Sequence, residues 1–125
     1  MIQIVKDADT RPWFFLQTAH TTYGMRVMET GHLEHLYYGE RITVDSQDPA
    51  SCAPLVIQRA FAPGNTCTYD REHPQISMED VCLEVGTLGK GDIREPFLEV
   101  RFADGSVTSD FTFDSYKIIT LKERE

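Results

Sequence analysis

His32 and His35 are the first residues in the chain whose types suit metal binding or proton transfer. On a strand an odd offset sends two side chains to opposite faces, and only a helix would bring these two together. Leu33, Leu36, Tyr37 and Tyr38 around them read as strand, so no metal site is expected. His20 and His73 stand near turns without a ligand cluster. Cys52, Cys67 and Cys82 are odd in number and form no Cys-x-x-Cys pair; reduced, partly buried thiols are expected rather than a disulfide framework or a thiolate zinc site. Gly86, Gly89 and Gly91 give a Gly-rich stretch, but Asp92 and Pro96 follow it where a phosphate loop would end in Lys-Ser/Thr and open a helix, so a sharp turn is expected there. The Ser and Cys residues lie in no Gly-x-Ser-x-Gly elbow, and no local arrangement marks a nucleophile. Glycoside chemistry needs two carboxyl groups about 5–10 Å apart. Glu79, Asp80, Glu84, Asp92, Glu95, Glu99 and Asp110 supply candidates, yet sequence spacing selects no pair among them.

Trp13, Tyr37 and Tyr38 could stack a pyranose ring, but aromatics at strand positions usually fill a core or pair across strands. The elements that position all these residues are set by alternation, the period of a half-buried strand. Ile2–Lys6 and Trp13–Thr18 are two candidate strands. Tyr23, Met25 and Val27 share a face against Arg26, Thr30-Gly31-His32 forms a turn, and Leu33–Tyr38 returns as the second arm of a β-hairpin. Leu98, Val100 and Phe102 alternate with Glu99 and Arg101 up to an Asp104-Gly105 turn, and Phe111 and Phe113 continue beyond it. In that second hairpin Glu99 and Asp110 fall on the solvent face. A last strand is expected over Tyr116–Leu121. Thr43–Asn65, with Pro49, Pro54 and Pro63, reads as a long connection around an apolar island at Leu55-Val56-Ile57; such loops are often functional. Ile76–Val85 is the one expected helix, short, with Ser77 as cap and Asp80 as a weak reciprocal partner. The fold class is all-β: an antiparallel β-sandwich of hairpins with one short helix.

Composition narrows the partners. The chain has 125 residues, 41% of them hydrophobic, enough for one domain and too few for two comfortable ones. Twelve Lys and Arg against 20 Asp and Glu give a net charge of −8. Phosphate recognition relies on clustered cations, so nucleic acid and anionic membrane surfaces are not expected partners. Met1–Asp7 lacks a basic leader ahead of an apolar core, and no apolar run approaches the roughly 20 residues of a membrane span. A cytoplasmic location is expected.

Several runs resemble glycoside hydrolase family 36 α-galactosidases. Phe15-Leu16-Gln17-Thr18 and Thr21-Thr22-Tyr23, with Met25-Arg26-Val27, are similar to that family's opening strands. Gly31-His32-Leu33-Glu34-His35-Leu36-Tyr37-Tyr38-Gly39 is similar to its next segment. Gly89-Lys90-Gly91-Asp92-Ile93-Arg94-Glu95-Pro96 and Asp104-Gly105-Ser106 with Ser109-Asp110-Phe111 follow in the same order. The match runs along nearly the whole chain but covers only the front of the family's enzymes. Gly24 stands where a β-branched residue is common, and Ile76 where Phe is usual.

The resemblance implies an N-terminal β-supersandwich, of which residues 1–125 are an incomplete part, with the catalytic (β/α)8 barrel absent from this chain. It implies hydrolysis of terminal α-galactosides such as melibiose and raffinose with retention, through two barrel Asp residues, the first in a Lys-Trp-Asp motif. That motif is absent here, since Trp13 lies between Pro12 and Phe14. Thr108-Ser109-Asp110 superficially resembles the acid/base surroundings, but it follows an Asp-Gly turn, and Asp110 is read as solvent-facing or structural. No catalytic residue and no cofactor are therefore expected in this chain. The family's N-terminal domain packs on its barrel, enters oligomer contacts, and can bring a loop near a galactose site. Here that loop corresponds to the connection around Gln58-Arg59-Ala60-Phe61, making Gln58 and Arg59 the candidate substrate-binding residues. Relatives often have Asp before this Arg; Gln58 keeps a hydrogen-bonding side chain without the charge. The alternative function is a free-standing β-sandwich module that binds carbohydrate or protein without chemistry.

Overall fold

The computed structural model describes residues 1–56, 69–78, 81–88, 91–92 and 96–121. Four antiparallel strands form one sheet in chain order: β1 (Ile2–Lys6), β2 (Pro12–Gln17), β3 (Thr21–Val27) and β4 (Leu33–Glu40). Short turns close each hairpin. Asp7 Oδ1 accepts the backbone N–H groups of Asp9 and Arg11, both at 2.9 Å, between β1 and β2. Thr18 Oγ1 accepts the Thr21 N–H at 2.9 Å between β2 and β3. Gly31, at φ +90°, turns the chain from β3 into β4 in a conformation L side chains rarely adopt. A bulge between Gly24 and Met25 shifts the β3–β4 register, so that Tyr37 faces Gly24 and His35 faces Met25. The chain is all-β and mostly antiparallel, as alternation indicates.

The register separates two faces. One carries Val5, Trp13 and Phe15, which pack with Val44 and Cys52 and with the partly buried Leu36, Ile42, Leu55 and Val56. The expected long connection supplies Val44, Cys52, Leu55 and Val56 of this set, and within it a 3-10 helix, Pro49–Leu55, buries Cys52. A buried polar network fastens the connection's start to the sheet. Thr22 Oγ1 donates to Gln17 Oε1 and accepts the Ile42 N–H. Gln17 Nε2 donates to Gln3 Oε1 and to the Ile42 carbonyl, both at 3.2 Å. Every member has a partner, as buried polar groups require. Gly24 has a packing role here: a Cβ on it would lie 3.1 Å from the Phe15 ring, which crosses β3 at that point.

Three expected elements differ. Ile76–Val85 is not helical at its described positions, which leave out residues 79–80. Instead Leu83 bridges Glu34 antiparallel, the His35 N–H donates to the Cys82 carbonyl at 2.8 Å, and the Glu84 N–H donates to the Leu33 carbonyl at 2.9 Å. The open edge of β4 offers unpaired backbone groups, and pairing with it outweighs a weakly capped helix of one or two turns. In the second expected hairpin the turn forms, with Gly105 at φ +88° and the Phe102 N–H bonded to the Ser106 carbonyl at 2.9 Å, but residues 96–121 form no strand ladder. The Tyr116–Leu121 strand is likewise absent. This segment makes a parallel bridge from Leu98 to Thr87, while its second half lies against the sheet as a strap. The Gly-rich stretch is flanked by β5 (Thr87–Leu88) and β6 (Gly91–Asp92), a minimal parallel pair, with residues 89–90 outside the described set.

Candidate functional site

Among the described residues, chemistry-bearing side chains converge at two places, one just before β4 and one on it. At the first, His32 is 1% exposed, held in the turn that Gly31 makes. Its Nδ1 meets Thr30 Oγ1 at 2.7 Å and its Nε2 meets Asp110 Oδ1 at 2.5 Å. A carboxylate accepts only, so the Nε2 nitrogen carries the proton. Tyr69 donates its hydroxyl to Asp110 Oδ2 at 2.5 Å and sets its ring edge-on to His32, centroids 4.8 Å apart. The hydrogen bond to Asp110, then burial and the carboxylate's charge, push the Tyr69 phenol up to about 12. It serves as a donor and not as a base.

The second place lies three residues further on, at His35 within β4. Tyr23 donates its hydroxyl to Glu84 Oε2, and His35 Nδ1 meets Glu84 Oε1 at 3.0 Å. Burial first, then the bond to Glu84 and its charge, raise the Tyr23 phenol to about 12. His32, just before β4, and His35, within it, thus answer to different carboxylates. Among the described residues no three His, Cys, Asp or Glu side chains gather closely enough to hold a metal ion. Elsewhere Glu34, 7% exposed at its side chain, receives the Arg26 Nε at 2.8 Å, and that guanidinium lies 5.4 Å from the Trp13 ring centroid. These carboxylates meet Arg26, His32, His35, Tyr23 and Tyr69, an arrangement that locks segments together (the pattern of a scaffold).

The individual candidates separate cleanly. Gln58 and Arg59 lie outside the described residues, as does Cys67. Asp110 is not on the solvent face of a hairpin: its side chain is 28% exposed and turned toward His32. Trp13 is 7% exposed and belongs to the core, Tyr37 spends its hydroxyl on the Glu40 carbonyl, and Tyr38, 69% exposed, presents its ring. Cys52 is buried and Cys82 exposed, both as free thiols; burial pushes the Cys52 thiol up. The roles of Tyr23, Tyr69 and Glu84 escape the sequence. Their partners lie 61 residues apart for Tyr23 and Glu84, and 41 for Tyr69 and Asp110, with no local motif to join them.

The chain is similar to several known proteins. The bifunctional α-galactosidase/sucrose kinase AgaSK of Mediterraneibacter gnavus is 35% identical over 112 residues, covering 89% of this chain and 11% of the relative. The α-galactosidase AgaA of Geobacillus stearothermophilus is 29% identical over 111 residues, with 14% of its length covered. Among solved structures, the α-galactosidase from Lactobacillus brevis superposes with a TM-score of 0.71 at 33% identity, over 90% of this chain and 14% of that one. The chain therefore spans only a small part of the length of the relatives it matches. Residues 31–125 match the model described as the glycosyl hydrolase family 36 N-terminal domain, and the chain belongs to that family.

Proposed function

We propose that residues 1–125 are the non-catalytic N-terminal β-sandwich portion of an α-galactosidase that removes terminal α-galactosides of the melibiose and raffinose type with retention. The observation that carries this reading is the family match, in relatives whose names are α-galactosidases and of which this chain spans 11% and 14%. Retention requires a nucleophile and an acid/base about 5 Å apart, and this reading assigns both to a (β/α)8 barrel outside these residues. The buried or half-buried carboxylates Glu34, Glu84 and Asp110, already engaged by Arg26, His35, Tyr23, His32 and Tyr69, support it. In the same reading the chain packs on its own barrel, takes part in homo-oligomer contacts in the cytoplasm, and brings Gln58 and Arg59 to the mouth of a galactose site. The test is expression of the chain together with whatever follows it in its gene. That protein releases galactose from melibiose if the reading holds; a longer product that leaves melibiose and raffinose intact contradicts it.

A further inference from the structure

The segment after the Asp-Gly turn is fastened to the sheet over a very short stretch. Thr87 Oγ1 donates to the Ser109 carbonyl at 2.5 Å, the Asp110 carboxylate meets His32 and Tyr69, and the Phe113 N–H donates to the Gly31 carbonyl at 2.7 Å. Gly31 also makes room for the strap, since a Cβ there would lie 3.3 Å from Thr112 Cβ. Beyond Phe113 the strap rests on Phe14 through the Tyr116 ring, edge-on at 5.1 Å, while Ile118, Ile119 and Leu121 are 49%, 68% and 84% exposed. Between strap and sheet runs an apolar groove of about 280 Å³, lined by Phe14, Leu16 and Met25 on one side and Tyr116 and Ile118 on the other. The core formed by Val5, Trp13 and Phe15 lies on the opposite face of the sheet, with its own covering segment. The two faces therefore have separate packing, and the strap's described polar anchorage is concentrated within residues 109–113, around the buried His32.

We propose that His32, Asp110 and Tyr69 form a latch, and that the 109–121 strap opens as a unit from the sheet while the opposite core stays folded. Opening breaks the charged hydrogen bonds of the latch and uncovers Phe14, Leu16 and Met25. Closing buries His32 against a fixed carboxylate, which sets the strap's position to a single register. Cooperative units of this kind exchange amide hydrogens with a free energy below that of global unfolding.

Native-state hydrogen exchange on the 125-residue chain tests this, with the Phe113 amide as strap probe and the β2 amides as sheet probes. In the unaltered chain Phe113 exchanges at least about 10-fold faster than β2 and shows a shallower urea dependence, because opening exposes less surface than unfolding does. Asp110→Asn speeds Phe113 exchange by roughly 10- to 100-fold, the range for losing a hydrogen bond to a charged group. Val44→Ala, on the opposite face, speeds the β2 amides and leaves Phe113 unchanged, since the open-strap state keeps that core. Phe113 responding to Val44→Ala as strongly as β2 does would overturn the proposal, and so would an unchanged Phe113 rate in Asp110→Asn. Should Asp110→Asn fail to fold, the urea dependence decides alone: equal slopes for Phe113 and β2 remove the independent unit.

Discussion

Gly24→Ala tests whether this β-position is glycine for a packing reason. Without a neighbour in the way, alanine in a strand interior gains about 0.5–1 kcal/mol over glycine. Here the new Cβ would lie 3.1 and 3.2 Å from two carbons of the Phe15 ring. Phe15 is fully buried among Val5, Trp13 and Val44, so the ring has nowhere to retreat. Overpacking of this kind costs about 1–3 kcal/mol, which outweighs the gain and leaves a net loss of about 0.5–2 kcal/mol. Unfolding entropy of about 2.1 cal/mol/K per residue makes that a fall in Tm of about 2–8 °C for a chain of 125 residues. Thermal denaturation followed by circular dichroism reads it directly. The decisive comparison is the same substitution in a Phe15→Leu background, where the ring edge is gone and Gly24→Ala becomes neutral or stabilising. A higher Tm for Gly24→Ala in the unaltered chain, equal to its effect beside Leu at position 15, would refute the close-approach argument.

Alkaline pH and exposed apolar surface give two further outcomes. The phenols of Tyr23 and Tyr69 are both raised to about 12, Tyr23 by burial and then Glu84, Tyr69 by Asp110 and then burial. The folded state therefore holds these protons after the unfolded chain has lost them, so stability is intact below about pH 10 and falls as pH rises toward 12. Urea unfolding at stepped pH should show that fall flattened in Tyr69→Phe and Tyr23→Phe; an equally steep fall in both variants contradicts the assignment. Phe97, Ile119 and Leu121 are 77%, 68% and 84% exposed in a chain of this size. Sedimentation velocity should show concentration-dependent association that Ile119→Lys with Leu121→Lys suppresses, and a monomer at all concentrations would count against an adhesive strap.

What the sequence revealed follows from where the determining partners lie. The four-stranded sheet was legible because its strands are consecutive and each hairpin carries its own turn chemistry, as at Asp7, Thr18 and Gly31. The Ile76–Val85 segment misled because its fate depends on the open edge of β4, some fifty positions earlier, and no local propensity reports that edge. The second hairpin misled in a complementary way. Its alternation and its Asp104-Gly105 turn are real, yet a strand needs a neighbour along its length, and residues 96–121 meet the sheet mainly through side chains such as Phe113 and Tyr116. The partners of His32 and His35, Asp110 and Glu84, lie 78 and 49 residues away, beyond the reach of any local spacing. The resemblance to family 36, carried by ordered runs along the chain, told more about function than any spacing of acids did.

On the proposed function, the carboxylates of this chain join segments and do not cleave glycosidic bonds. Incubating the purified 125-residue chain with p-nitrophenyl α-galactoside measures this most directly, alongside Glu84→Gln and Asp110→Asn. No release of nitrophenol above buffer is expected in any of the three, with the substitutions visible only as lower thermal stability. Turnover by the unaltered chain that either substitution abolishes, in a protein still folded, would contradict it.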